Sequence, residues 1–384
     1  MSPSRRAFLQ FGSLAATAAA FAVRSSDAIA QVVMQAHRIV RQASPENLEY
    51  DFGTLGEFIT PVDRHYVRSH FAVPAIDAAS WSLQVKGAVA RPLRLSLDEL
   101  RALPRASHVV TLECAGNGRS FLTPAVSGVQ WARRAVSTAE WTGARLIDIL
   151  GKAGVDAGAT RLVFEGGDSG EVKNTPHPRG AITFHRSLAL DDVQARDVLV
   201  AYAINGQPLP AANGAPVRLI VPGCYGMASV KWLSAIEAVG GDFDGYWETT
   251  DYAYWDRSGH FPVRRPLMGA HVKSLIARPS AGDAVTRGVA TEIVGAAWSD
   301  GPVTRIEVST DGGRTWRDGE FLDPQSPWAW RRWRYRWQVP AAAGEAVLMS
   351  RATDAKGRVQ PAARNDDYGS YVIHHVVPMP VKIT

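Results

Sequence analysis

The rhythm of hydrophobic and polar positions changes along this chain. A mild apolar run, Phe11 to Val23, lies near the start, and a polar, irregular stretch follows to about Leu55. From Trp81 to Val239 short apolar runs alternate with helix signals. Ser96-Leu97-Asp98-Glu99 has the spacing of a capping box, so it predicts a short helix ending near Pro104. His108 to Leu112 predicts a strand running into Cys114 and the turn Ala115-Gly116-Asn117-Gly118. Gly143 to Leu150 reads as a helix, and Arg161 to Phe164 and Val198 to Ile204 read as strands. Asn205-Gly206 supplies a tight turn, with further strands expected over Val217 to Val221 and Val230 to Leu233. The pattern is mixed α+β.

From about Val272 the helix signals stop. Val289 to Trp298, Arg305 to Ser309 and Arg314 to Trp316 are short runs, with turn chemistry at Asp311-Gly312-Gly313. In Trp333-Arg334-Tyr335-Arg336-Trp337 the aromatics alternate with arginines at period two. That spacing puts a core face on one side of a strand and a solvated basic face on the other. Roughly a hundred residues of this kind predict an immunoglobulin-like β-sandwich.

The first thirty residues read as an address. Ser4-Arg5-Arg6-Ala7-Phe8-Leu9 is a twin-arginine signal, and Ala28-Ile29-Ala30 offers a small-x-small cleavage site. The apolar run between them is about 13 residues, short of the roughly 20 that a spanning helix needs. The expectation is therefore export to the periplasm, with no membrane attachment after the signal is removed. Twin-arginine export carries folded proteins, commonly those that acquire a cofactor first.

The formal charge of +5 looks basic. Arg5, Arg6, Arg24 and Asp27 account for a net +2 of it, which leaves about +3 dispersed over the rest, too little to argue for nucleic acid. Only Cys114 and Cys224 are present. In an oxidising compartment their plain expectation is one disulfide. A covalent c-type haem site and a four-cysteine metal site are excluded. P-loop, H-E-x-x-H and G-x-S-x-G motifs are absent, and Gly116 and Gly118 lack the third glycine of a dinucleotide fingerprint. What remains is Cys114 opening a glycine-rich loop with Arg119 five residues later. A guanidinium nearby favours a thiolate, but on these residues alone an inert thiol and a reactive one stay equally open.

Thr111-Leu112-Glu113-Cys114-Ala115-Gly116-Asn117-Gly118-Arg119 resembles the molybdenum-ligating motif of the sulfite oxidase family. His65 to Pro74, Gly128 to Trp131, Val136 to Leu146, Ala201 to Pro210, Pro216 to Gly223 and Val230 to Leu233 resemble further family segments, in family order. Ala297 to Gly301 and Val308 to Trp316 resemble its dimerisation domain. The resemblance covers about residues 60 to 377 and is greatest to bacterial periplasmic sulfite dehydrogenases. With the signal over 1–30, it implies a molybdopterin-binding catalytic domain over 31–265 and a β-sandwich dimerisation domain over 266–384.

The same resemblance implies roles for particular residues. Cys114 ligates molybdenum beside the dithiolene sulfurs of the pterin, a soft ligand suited to that metal. Arg68 and Arg119 hold the oxyanion, Trp131 walls the pocket, and the Tyr252 hydroxyl bonds the reacting group. His70, Arg218 and Lys231 bind the Mo-pterin cofactor, the last two at its phosphate. Cys224 reads as a buried structural thiol. The implied reaction oxidises sulfite to sulfate by oxygen-atom transfer, passing electrons to a separate c-type cytochrome, in a homodimer.

Three departures weaken the choice of sulfite. Asn213 stands where animal and plant members have a histidine, Ala228 where they have a basic residue, and no arginine occurs in Asp367-Tyr368-Gly369-Ser370-Tyr371. Alternatives are a sulfane dehydrogenase-like subunit of sulfur oxidation, a periplasmic molybdenum sulfoxide reductase, and an exported β-sandwich binding module without metal.

Overall fold

The computed structural model describes residues 38–173 and 176–384. The twin-arginine signal and its cleavage site lie outside the described residues. Ser96 caps the helix Leu97–Arg101 as expected, donating its backbone N–H to Glu99 at 2.8 Å while its hydroxyl accepts from the Glu99 N–H at 3.3 Å. The chain then enters the strand Arg105–Glu113, which pairs antiparallel with Val136–Arg145 so that Glu113 faces Val136. The strand Leu199–Ile204 adds to the far edge of Val136–Arg145 and pairs in turn with Gln207–Pro208 and Arg218–Ile220. Asn205 and Gly206 both take positive φ, 48° and 77°, which fits the tight turn expected there.

Gly143 to Arg145 are strand, and the helix expected from Gly143 begins only at Leu146 and runs to Ala153. A Cβ at position 143 would lie 2.1 Å from the Val200 carbonyl oxygen, so the glycine serves a close strand-to-strand approach. A second correction falls on Val230 to Leu233, where the strand is Leu233–Val239. It forms the middle of another five-stranded sheet, parallel to Ser82–Gly87 and antiparallel to Arg161–Glu171. Leu83, Leu100, Leu146, Ile149, Leu162 and Ile236, all fully buried, knit that sheet to the helices.

Residues beyond 272 form two facing sheets. One orders Lys273–Arg278, Ala290–Trp298, Arg331–Gln338 and Glu320–Phe321; the other orders Ala284–Val285, Met379–Ile383, Gly344–Asp354, Val303–Ser309 and Arg317–Asp318. Trp333 and Trp337 point into the shared core, whereas Arg332 and Arg334 pair with Asp323 and Glu320. Arg314 to Trp316 lie in the turn before the short strand Arg317–Asp318. Phe52, Leu55, Leu275, Trp298 and Trp330 form a buried cluster joining this sandwich to the first domain. No helix among the described residues is long and apolar enough to cross a membrane.

The two cysteines form no disulfide. Both cysteines are free and buried. Cys224 belongs to the core around the central helices and Cys114 to a separate cluster with Tyr66 and Trp131, so the fold never brings them together. Burial pushes the Cys224 thiol up to about 11, as suits an inert structural thiol.

Candidate active site

Cys114 emerges where the strand Arg105–Glu113 ends. Its N–H donates to the Ala135 carbonyl at 3.0 Å, and its carbonyl accepts from the Asn117 N–H at 2.9 Å. The loop turns at Gly118, whose φ of 109° suits glycine. Arg119 folds back over the loop because two glycines make room for it. A Cβ at Gly116 would lie 2.2 Å from Arg119 Nη2, and one at Gly128 would lie 2.7 Å from Nη1.

One side of Cys114 opens on a cavity lined among others by His65, Arg68, His70, Arg218 and Lys231. Its charge is poorly balanced. Arg218 donates to the Asn213 and Ser229 carbonyls at 2.9 and 3.0 Å, but its buried Nε has no partner. Lys231 donates to Ser69 Oγ and the Ala212 carbonyl, both at 2.9 Å. Burial, with the neighbouring arginines, pulls Lys231 well below its usual range and burial pulls Arg218 down to about 10. The carboxyl in this lining is Asp168, which burial raises to about 6 against the pull of Lys231. His65 bonds the Tyr66 carbonyl through Nδ1 at 2.9 Å, and its buried Nε2 is unpartnered. Burial lowers it to about 3, so the ring is neutral and offers the cavity an acceptor.

Arg68, Cys114 and Tyr252 also border a second pocket, completed by Arg119, Asp251 and Tyr371. Arg119 spends Nε on the Ser370 carbonyl at 3.2 Å and Nη1 on the Val129 carbonyl at 2.9 Å, which fixes the fork at the pocket. Tyr252 follows a single π-helical turn over Trp247–Asp251, a local form often found at functional sites. Glu248 in that turn pairs with Arg186 at 3.3 Å, both fully buried, and accepts from the Ser187 N–H and hydroxyl at 3.1 Å each. Arg186 also donates to the Trp247 and Leu267 carbonyls. Tyr252 thus sits on an anchored segment, with its hydroxyl 2.6 Å from His70 Nε2. The Tyr371 hydroxyl donates to Asp251 Oδ1 at 2.9 Å.

An anionic group carrying its own metal chelate fits this donor set. The orphaned Arg218 Nε and the depressed Lys231 are buried cations awaiting a counter-charge. Among the described residues no three His, Cys, Asp or Glu side chains gather as a metal cage, so Cys114 could serve only as one ligand among others brought by a cofactor.

Residues 70–247 match the family described as the oxidoreductase molybdopterin binding domain, and residues 264–369 match the Mo-co oxidoreductase dimerisation domain. Chicken sulfite oxidase is 36% identical over 342 residues, covering 84% of this chain and 72% of that enzyme. The chain belongs to the sulfite oxidase family. Human mitochondrial sulfite oxidase is 40% identical over 320 residues, 79% of this chain, and the match spans 57% of the human enzyme's length. Among solved structures, the sulfane dehydrogenase SoxCD from Paracoccus pantotrophus superposes with a TM-score of 0.76 at 26% identity, covering 88% of this chain and 84% of that one.

A sulfite oxidase family member holds molybdenum in molybdopterin, and the cationic cavity beside Cys114 is where this chain's residues suit it. Of the residues expected from the sequence, Arg68, His70, Cys114, Arg218, Lys231 and Tyr252 line that cavity, and Arg119 joins Arg68, Cys114 and Tyr252 at the second pocket. Trp131 does not wall either space. It is fully buried beneath the loop, clustered with Tyr66 and Cys114, and its carbonyl accepts from the Ser120 hydroxyl at 2.9 Å. Asn213 lines the cavity, whereas Ala228 is buried in the neighbouring core. His65, Asp168, Asp251 and Tyr371 were not singled out by sequence reasoning. His65 stands only five residues before His70 in the same segment, the one available signal among the four.

Proposed function

We propose that this chain oxidises sulfite, or a closely related sulfur oxyanion, with Cys114 as the protein's ligand to molybdenum. The observation that supports this most is that one thiol borders two spaces, a cavity suited to an anionic cofactor and a pocket suited to an anionic substrate. When bound, the molybdenum–molybdopterin group supplies two-electron oxidation of sulfur with oxygen-atom transfer. Arg218 and Lys231 hold the cofactor's phosphate. Arg68 and Arg119 orient the oxyanion through charge-assisted hydrogen bonds. The Tyr252 hydroxyl, fixed by His70, presents a neutral donor at the boundary of the two spaces. Electrons leave to a separate acceptor, proposed as a c-type cytochrome. The proposed assembly is a homodimer built through the dimerisation domain, exported to the periplasm by the twin-arginine route.

A second reading, oxidation of sulfane sulfur on a carrier, draws support from Asp251 and Tyr371. They occupy the substrate-side pocket where the family resemblance called for another arginine, and they leave it less cationic. Sulfoxide reduction and a metal-free binding role have no comparable feature in their favour. The experiment that tests the proposal measures ferricyanide reduction by molybdenum-loaded protein with sulfite and with thiosulfate and, in parallel, oxidation of reduced viologen dye by the same protein with methionine sulfoxide. Turnover with sulfite supports the leading reading, and turnover with thiosulfate alone moves the assignment to the sulfane class.

A further inference from the structure

The carboxylate of Glu113, the residue before Cys114, is held from the other domain. Lys273, which opens the first strand of the sandwich, donates Nζ to Glu113 Oε1 at 2.7 Å. Trp298, which closes the neighbouring strand, donates Nε1 to Glu113 Oε2 at 2.8 Å. All three side chains are buried at about 2% exposure, so the pair is shielded from solvent. Lys273 also donates to the Asn117 carbonyl at 3.2 Å, and Asn117 returns Nδ2 to Glu113 Oε1 at 2.9 Å. Asn117 Oδ1 accepts from the Ala135 N–H at 3.0 Å, and Ala135 is the residue whose carbonyl receives the Cys114 N–H. The loop that displays Cys114 is therefore closed on both flanks by groups that converge on one ammonium.

We propose that Lys273 and Trp298 are positioning residues for Cys114, so that the sandwich, besides any part in assembly, fixes how the thiol is presented to the metal. The proposal rests on Cys114 being the metal ligand only where it speaks of the metal; the geometry of the thiol stands apart from that. A plain domain staple would need no convergence on the cysteine loop. Here the same ammonium bonds both the residue before Cys114 and the residue three after it. Charge balance makes the device testable. Removing one charge leaves the other buried and unpaired, whereas replacing both with amides leaves neither.

The test uses Lys273→Gln, Trp298→Phe and the double variant Glu113→Gln/Lys273→Gln in the full chain. In cofactor-free protein the readout is the alkylation rate of Cys114 by iodoacetamide, with the fully buried Cys224 as the internal unreactive control. Loosening the loop in Lys273→Gln speeds alkylation roughly tenfold, Trp298→Phe speeds it less, and the double variant returns close to the parent rate. In molybdenum-loaded protein the g-values of the Mo(V) paramagnetic resonance signal shift in the same order. Should Lys273→Gln fail to fold, Trp298→Phe and the double variant carry the test, because neither strands a buried charge. Alkylation rates and g-values that match the parent in folded Lys273→Gln, or in Trp298→Phe when that is the only folded single variant, would overturn the proposal. So would a double variant as disturbed as Lys273→Gln. If no substrate is oxidised but the alkylation order holds, the proposed reaction fails and the positioning role survives.

Discussion

The Tyr252 hydroxyl lies 2.6 Å from His70 Nε2, across 182 residues of sequence. Burial holds the His70 imidazole well below its ordinary pKa and pushes the Tyr252 phenol up, so both partners are neutral around neutral pH. The histidine ring stacks on Phe184 with centroids 4.6 Å apart, which orients it toward the tyrosine. Tyr252→Phe removes a neutral hydrogen bond worth about 1 kcal/mol. Sulfite kcat/KM is expected to fall roughly fivefold, and the melting temperature to fall slightly because the buried His70 Nε2 loses its partner. Steady-state kinetics beside a thermal melt check this, and a loss beyond a hundredfold would mean that the hydroxyl carries a proton in the reaction.

Arg68 and Arg119 are both tied to backbone carbonyls, Arg68 to that of Ser69 and Arg119 to those of Ser370 and Val129. Arg119 is 5% exposed and braced by two backbone carbonyls, so its charge arrives at the pocket already fixed. Each arginine's charge-assisted bond to an oxyanion is worth about 1.5–3 kcal/mol. Arg68→Gln and Arg119→Gln should each lower kcat/KM by roughly one to two orders of magnitude. Arg119→Gln should also lower stability, because the glutamine cannot span to the Ser370 and Val129 carbonyls. Unchanged sulfite kinetics in Arg68→Gln would point to a different substrate.

Cys114→Ser separates ligation from cofactor retention. Arg218 and Lys231 reach the cavity from elements other than the cysteine loop, the strand Arg218–Ile220 and the segment before Leu233–Val239. The serine variant should therefore keep much of its pterin, read by fluorescence of the oxidised extract, while sulfite turnover disappears. Full activity in that variant would remove Cys114 from the metal.

Local signals in the sequence carried the cysteine turn, the capped helix at Ser96 and the period-two strand at Trp333. Each depends on neighbours within a few residues, where spacing translates directly into geometry. Gly143 misled for the opposite reason, since its use lies in the Val200 carbonyl of another strand. Trp131 was expected at the pocket from the family resemblance, yet its indole packs in the buried cluster with Tyr66 and Cys114. Asp168, Asp251 and Tyr371 reach the site only through tertiary folding. The π-helical turn that presents Asp251 and Tyr252 is pinned by Arg186, more than sixty residues earlier, and no local pattern announces it. The Lys273–Glu113 pair spans 160 residues and two domains.

Asp168 makes the cofactor-free protein sensitive to pH. Burial raises its folded-state pKa from 3.8 to about 6, with Lys231 opposing. The folded chain therefore holds this proton more tightly than the unfolded chain. The resulting stability is fully present below about pH 4 and is lost as pH rises through about 6. Asp168→Asn cannot lose it. Measured without cofactor, the variant should melt several degrees above the parent at pH 7.5, reflecting at most about 3 kcal/mol, and should coincide with it near pH 4. A variant that melts lower at pH 7.5 would mean that the ionised carboxylate supports the fold.

Asp251 predicts a pH-dependent grip on the substrate. Its carboxyl borders the same pocket as Arg68 and Arg119 and accepts a hydrogen bond from the Tyr371 hydroxyl. Burial raises its pKa above the ordinary carboxylate range, with the Tyr371 bond and the two arginines pulling the other way. While ionised, it opposes the arginines and weakens their hold on an anion. As pH falls, Asp251 takes up its proton earlier than an exposed aspartate, and the pocket becomes more cationic. Asp251→Asn fixes that state at every pH and keeps an oxygen for the Tyr371 hydroxyl. At pH 8 the variant's KM for sulfite should be roughly threefold to tenfold lower than the parent's, an effect of about 0.7–1.4 kcal/mol. The ratio should shrink toward one as the parent's carboxyl protonates. Taking the ratio at each pH cancels the substrate's own protonation, which is common to both proteins. Parallel KM profiles at every pH would separate Asp251 from the substrate. A lower KM for sulfite with none for thiosulfate would show that the carboxylate selects between the two sulfur anions.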